Sequence, residues 1–110
     1  MHPFETPQIP SVTVDEVAAL VDDGALLIDI REQPEWDESR IAGAELKPLS
    51  TINDWWEGLP TDRTVILYCR SGNRSAQAVS ALTNQVGRTN VYNMTGGILA
   101  WSANRLPLDD

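Results

Sequence analysis

The residues best suited to chemistry lie together in one stretch, Cys69-Arg70-Ser71-Gly72-Asn73-Arg74-Ser75. Cys69 is the only cysteine of the chain, and two arginines and a glycine follow it within five positions. A free thiol has a pKa of about 8.5 and is only a few per cent ionised near neutral pH. An arginine at ~7 Å favours the thiolate by about 2 kcal/mol at an effective dielectric of ~20, more than one pKa unit. Gly72 permits a positive φ or a close backbone approach. The amides that follow can turn inward as an anion-binding nest, with the start of a helix behind them. Ser75 is suited to cap that helix. The pattern therefore suits an activated thiolate acting on an anionic ligand. The bland alternative is an inert cysteine ending a strand, since free cysteines are commonly buried. The cluster of arginines, glycine and helix start argues for the reactive one.

Such a loop needs a strand before it and a helix after it. Thr64-Val65-Ile66-Leu67-Tyr68-Cys69 is the strongest strand signal in the chain. Ser75 to Val86 is expected as a helix with Ala76, Val79, Leu82 and Val86 on one face and Gly87 closing it. Upstream, Thr13-Val14-Asp15-Glu16 is a capping box opening a helix that runs to Gly24. Ala25 to Ile30 reads as a buried strand with Asp29 near its end. Glu32 to Ser39 reads as a loop and short helix, with Pro34 in its first turn. Ile52, Trp55, Trp56 and Leu59 recur at helical spacing and predict one apolar helical face directed at the core. Asn90 to Met94 reads as a short strand and Gly97 to Asn104 as a last helix, anchored by Trp101. Gly96-Gly97 is expected to allow close packing near the catalytic loop. Buried strands alternating with helices imply an α/β fold, with a largely parallel sheet covered on both faces. In such sheets ligands bind beyond the carboxyl ends of the strands, which is where Cys69 falls.

The 110 residues suffice for one domain, expected over 11–110 with an N-terminal extension over 1–10. One cysteine cannot form an internal disulfide, and one cysteine with one histidine cannot build a zinc site, so no metal or cofactor is expected. A Cys–His dyad would have to use His2, at a frayed terminus, and is set aside. No apolar run spans a membrane, and the N-terminus lacks the pattern of a signal peptide. A net charge of −8 disfavours nucleic acid. The cytoplasm, where a lone thiol stays reduced, is the expected location. The charge is uneven: residues 1–62 carry 14 acids and 3 bases, whereas Arg63 to Leu108 carries five arginines and no acid. The thiol thus lies in a basic stretch of an acidic chain, whose acidic half is expected to serve solubility.

The loop resembles the active-site loop of the rhodanese family of sulfurtransferases, in its Cys-Arg-x-Gly-x-Arg-Ser form. Asp29-Ile30-Arg31-Glu32, Pro34-Glu35-Trp36 and Ile41-Ala42-Gly43-Ala44 resemble that family's Asp-x-Arg-Glu segment. Gly96-Gly97-Ile98-Leu99-Ala100-Trp101 and Leu106-Pro107 resemble its C-terminal segment, and the match is collinear. The resemblance implies a single rhodanese-like domain: a mainly parallel, five-stranded sheet flanked by helices. It implies that Cys69 takes the outer sulfur of thiosulfate or a persulfide donor and passes it to a thiol, cyanide or protein acceptor. The amides of Arg70, Ser71, Gly72, Asn73, Arg74 and Ser75 would cradle the terminal sulfur, with Arg70 attracting the donor and Arg74 holding the loop. Asp29 and Arg31 would brace it. A monomer is the default.

Two rivals are weighed on residues. Phosphatases and arsenate reductases of the same fold resemble Cys-x5-Arg, a loop one residue longer; here the arginine comes one position earlier, at Arg74, and Ser75 takes its place. Non-catalytic binding modules of the fold tend to lose the cysteine or the loop arginines, and this chain keeps them. Two departures from the family carry expectations of their own. Ser39-Arg40-Ile41 replaces Gly-His-Ile, leaving Arg40 to reach solvent or a partner. Glu32 and Glu35 are expected near the site, where they would repel free thiosulfate and favour a protein persulfide as donor.

Overall fold

The computed structural model describes residues 8–109. In chain order the elements are β1 (Ser11–Val12), α1 (Val14–Asp22), β2 (Leu26–Asp29), α2 (Gln33–Glu38), β3 (Arg40–Ile41) and β4 (Glu45–Leu46). A short segment of mixed helical turns centred on α3 (Ile52–Trp55) follows, then β5 (Val65–Tyr68), α4 (Asn73–Asn84), β6 (Val91–Met94), α5 (Gly97–Ala103) and β7 (Leu108–Asp109). Five strands form one sheet in the order β1-β6-β5-β2-β4, every neighbouring pair parallel. β3 and β7 pair antiparallel as a separate ribbon.

Strand alternation builds the two halves of the core. Ile66 and Tyr68 of β5 join Val17, Leu27, Met94, Ile98 and Trp101 under α1 and α5. Val65, Leu67 and then Cys69 point the other way, into a cluster with Ile28, Ile30, Val79 and Leu82 beneath α3 and α4. Side chains on a strand change face at every residue, so Cys69 extends the α4-facing row beyond the strand's last residue.

The expected helix at Thr13 forms with both hydrogen bonds of its capping box. Pro34 lies in the first turn of α2, as its fixed φ favours. Trp101 is buried and its indole donates to the Pro107 carbonyl at 2.8 Å.

Three local expectations are corrected. The Ile52–Leu59 segment is no continuous helix: 310 turns at Leu49–Thr51 and Trp56–Gly58 flank the four residues of α3. The Arg88 guanidinium takes the Trp56, Glu57 and Leu59 carbonyls, and the Trp55 indole takes that of Pro48. Those contacts replace a regular helical ladder, while the apolar residues still face the core: Leu59 is buried, with Ile52, Trp55 and Trp56 half-buried against the same cluster. α4 starts at Asn73 and stops at Asn84, which leaves Val86 exposed. Its N-cap is Gly72, at φ +98°, not Ser75. The two-residue edge strands β1 and β4 complete the sheet that the resemblance implied, although they are too short to leave a periodic signal.

Gln8 exchanges backbone–side-chain hydrogen bonds with Asn84, and the Asn93 amide donates to the Pro10 carbonyl. The hydrogen bonding of the fold thus reaches back to residue 8 within the expected extension. His2 and the other residues of 1–7 lie outside the described residues.

Candidate active site

Cys69 leaves β5 at the carboxyl edge of the sheet with 1% of its surface exposed. The chain then curls back over the sulfur. Cys69 Sγ accepts from the Gly72 amide at 3.1 Å and lies 3.5 Å from the Ser75 amide and 3.4 Å from the Ser75 hydroxyl. The curl requires a left-handed residue at Gly72, and at that point the backbone passes so close to Gly96 that a Cβ would come within 3.1 Å of its nitrogen. From outside, the first turn of α5 fixes the loop. The Ile98 amide donates to the Cys69 carbonyl at 2.9 Å and the Leu99 amide to the Arg70 carbonyl at 3.1 Å. With the carbonyls engaged outward, the amides face the sulfur.

Burial pushes the Cys69 thiol up, but hydrogen bonding from Ser75 and from the Gly72 and Arg74 amides outweighs it, and the thiol titrates below its ordinary range. The thiolate is thus favoured by short-range hydrogen-bond donors, Ser75 first and then the loop amides, where composition had suggested arginine charge. Arg74 is occupied elsewhere: its guanidinium grips Glu35 of α2 with two hydrogen bonds of 2.9 Å. The Arg74 contact, aided by the Glu32 amide and opposed by burial, brings the Glu35 carboxyl down to about 2.

That pair also corrects the expectation of two repelling carboxylates beside the site. Glu35 is neutralised by Arg74, and Glu32 accepts from the Ser50 hydroxyl at 2.6 Å. Arg40 is likewise not free. It folds back on Trp36, donating to that carbonyl at 3.0 Å with its guanidinium carbon 5.2 Å from the ring centre. Arg70 is the contrasting case: it is exposed, and among the described residues its side chain makes no hydrogen bond or ion pair. Ser71 and Asn73 are also exposed, so they contribute rim rather than floor.

A depressed carboxyl pKa stabilises the fold above the ordinary carboxylate range, and the gain disappears as pH falls through the folded value. The Glu35–Arg74 side chains are about one-third exposed (31% and 37%), so solvent screening keeps their contribution to ~0–1 kcal/mol. Glu35→Gln, which retains an acceptor for the Glu32 amide, is expected to melt slightly below the wild type at neutral pH. The two melting temperatures should converge as pH approaches about 2. A gap that persists in acid would assign the difference to something other than this pair.

Asp29 and Arg31 are both buried and form a fork of hydrogen bonds at 2.7–3.0 Å. Arg31 also donates to the Ser39 carbonyl at 2.7 Å and lies over the Tyr68 ring. Asp29 is in register with Tyr68, the residue before the cysteine. Among the described residues neither side chain hydrogen-bonds to residues 69–75. Instead the pair ties the exit of β2 to the residue following α2, the helix whose Glu35 holds Arg74. Its bracing reaches the loop by that indirect route.

One buried polar residue escaped the sequence reasoning. Asn93 of β6 is 6% exposed and its Oδ1 accepts from the Ser75 hydroxyl at 2.5 Å. The available signal was a lone polar side chain in the otherwise apolar run Val91–Met94, just before Gly96-Gly97.

Among the described residues no cluster of histidine, cysteine, aspartate and glutamate could hold a metal, and no helix is long and apolar enough to cross a membrane. Two cavities of about 250 and 220 Å³ lie elsewhere, lined by α1, α5 and their neighbours or by α3 and α4, and no residue of the loop borders either. At Cys69 the loop amides gather around the cysteine's own buried sulfur.

A parallel α/β domain with a thiol held by loop amides at a strand's carboxyl end defines the class, and the chain belongs to the rhodanese-like domain family, whose model matches residues 13–104. It is 41% identical over 102 residues to the probable adenylyltransferase/sulfurtransferase MoeZ of Mycobacterium tuberculosis, covering 88% of this chain but only 26% of that protein. It is 39% identical over 101 residues to a sulfurtransferase of Allochromatium vinosum, covering 92% of each chain. Among solved structures, the rhodanese-related protein of Thermoplasma volcanium superposes with a TM-score of 0.79 at 25% identity, covering 91% of this chain and 97% of that one. The chain thus spans about a quarter of one relative and nearly all of another, and relatives named sulfurtransferase support a sulfurtransferase family.

Proposed function

We propose that this protein is a sulfurtransferase that carries a sulfane sulfur on Cys69 as a persulfide. The observation that carries the reading is the buried Cys69 sulfur facing the Gly72 and Ser75 amides at 3.1 and 3.5 Å. In the first step the Cys69 thiolate attacks the outer sulfur of thiosulfate or of a persulfide donor. A new S–S bond forms, the donor's S–S bond breaks, and sulfite (or the donor thiolate) leaves with the bonding pair. In the second step a thiol, a protein thiolate or cyanide attacks the terminal sulfur and Cys69 leaves as the thiolate. Both steps are displacements at sulfur that the donor and acceptor complete between them. The loop amides stabilise negative charge on the terminal sulfur without reorganising. No second cysteine lies within these 110 residues to take the sulfur, so the acceptor lies outside them. A reducing compartment such as the cytoplasm suits a thiol of this kind.

Arg70, exposed and without a partner among the described residues, is the cation offered to an anionic donor, while Arg74 is committed to Glu35. That commitment also argues against a phosphatase-like reading, which needs a guanidinium free to grip a tetrahedral oxyanion. The test is steady-state transfer of sulfur from thiosulfate to cyanide, followed as thiocyanate. Arg70→Gln is expected to raise the thiosulfate KM about fivefold, the equivalent of ~1 kcal/mol for an exposed ion pair, and to flatten its salt dependence. Absence of transfer from every sulfane donor would move the reading to a binding module of the same fold.

A further inference from the structure

The Ser75 hydroxyl has one proton and three acceptors around it. Asn93 Oδ1 lies at 2.5 Å, the Gly72 carbonyl at 3.3 Å and Cys69 Sγ at 3.4 Å. Two oxygens approach to 2.5 Å only with a proton between them, and an amide oxygen carries none. The Ser75 proton is therefore committed to Asn93, and the hydroxyl turns its lone pairs toward the sulfur. A hydroxyl so turned accepts from a thiol S–H and gives nothing to a thiolate. Ser75 then reaches the thiolate through its backbone amide, and its hydroxyl adds to that only as far as its proton leaves Asn93.

We propose that Asn93 is a positioning residue for Cys69: by holding the Ser75 proton it keeps that hydroxyl from donating to the sulfur. The fold enforces the arrangement. Ser75 is fully buried and Asn93 nearly so; Asn93 lies on β6, beside β5, with its own backbone amide tied to Pro10. The amide cradle stabilises the thiolate, and a thiolate stabilised too far is a weaker nucleophile, because nucleophilicity falls with pKa. Asn93 offsets the cradle and keeps the thiol from being lowered as far as it would be with the Ser75 proton turned to the sulfur. The charged and titratable groups around Cys69 are few. They are Arg70 in the loop, Arg74 on α4 with its Glu35 partner on α2, Asp29 and Arg31 at the end of β2, and Tyr68 on β5. α5 has no charged residue, and β6 carries only Tyr92 as a titratable group, on the opposite face of the sheet.

The test is the pH dependence of Cys69 alkylation by iodoacetamide. The inference deepens the sulfur-carrier reading, but alkylation reads thiol acidity without any sulfur transfer, so the two can fail separately. Asn93→Leu frees the Ser75 proton to turn to the sulfur, and the midpoint of the profile is expected to fall by about one pH unit. Asn93→Ala should shift it in the same direction if leucine fits poorly. Adding Ser75→Ala to Asn93→Leu should bring the midpoint back up, which a merely structural role for Asn93 would not do. An unchanged or raised midpoint in the single variants overturns the inference. A lowered midpoint in a protein that loads no sulfur would uphold it while refuting the sulfur-carrier reading.

Discussion

Cys69→Ser is expected to lose sulfur transfer completely while the domain still folds. A serine hydroxyl stays protonated near neutral pH, and no other thiol in the chain can substitute. The replacement differs by one atom, and the oxygen it introduces is buried where the Gly72 amide can donate to it. The stability change should therefore stay within about 1 kcal/mol, the usual size of a single hydrogen-bond difference. Thiocyanate production and a melting curve on the same sample separate the two effects. Residual turnover in a folded variant would mean that sulfur passes through the protein by some group other than Cys69.

Gly97→Ala is expected to do comparable damage from outside the loop. Gly97 has φ +61°, and a Cβ there would meet the Arg70 carbonyl oxygen at 2.4 Å and that of Cys69 at 2.5 Å. These are backbone atoms that cannot swing aside. The first turn of α5 must retreat, and the Ile98 and Leu99 amides lose the carbonyls that hold the loop. Left-handed strain of about 1–2 kcal/mol and two weakened buried hydrogen bonds at ~1 kcal/mol each give a loss of ~3–4 kcal/mol. The amides over the sulfur shift as well, and misplacement by about an ångström is worth ~100-fold in rate. Gly43→Ala is the control: it has φ +84° but nothing within 4 Å, so it should cost only the strain and leave transfer intact. Equal effects at the two positions would show that contact with the loop is not what Gly97 provides.

The catalytic loop was legible in the sequence because its parts are local. A continuous apolar strand, a cysteine, a glycine and a helix follow one another within about twenty residues, and each leaves a signal of composition or period. What was not legible was pairing across distance. Glu35 and Arg74 stand 39 positions apart and Ser75 and Asn93 stand 18 apart, so no spacing rule connects them. The charge asymmetry pointed to the right half of the chain, yet it overstated the field at the sulfur, since Glu35 cancels one of the two nearby arginines. The edge strands β1 and β4 were missed for a different reason. Two residues cannot display a period of two, and only their partners β6 and β2 make them strands. The start of α4 was misread because Ser75 is an apt capping residue by type. A left-handed glycine began the helix earlier, turning Ser75 inward toward the cysteine.

The most direct test of the account is the intact mass of the protein after incubation with thiosulfate, then after addition of cyanide. The account predicts a gain of one sulfur atom, reversed by cyanide and absent from Cys69→Ser. An unchanged mass with thiosulfate and with every other sulfane donor, or a sulfur retained by the serine variant, would contradict it.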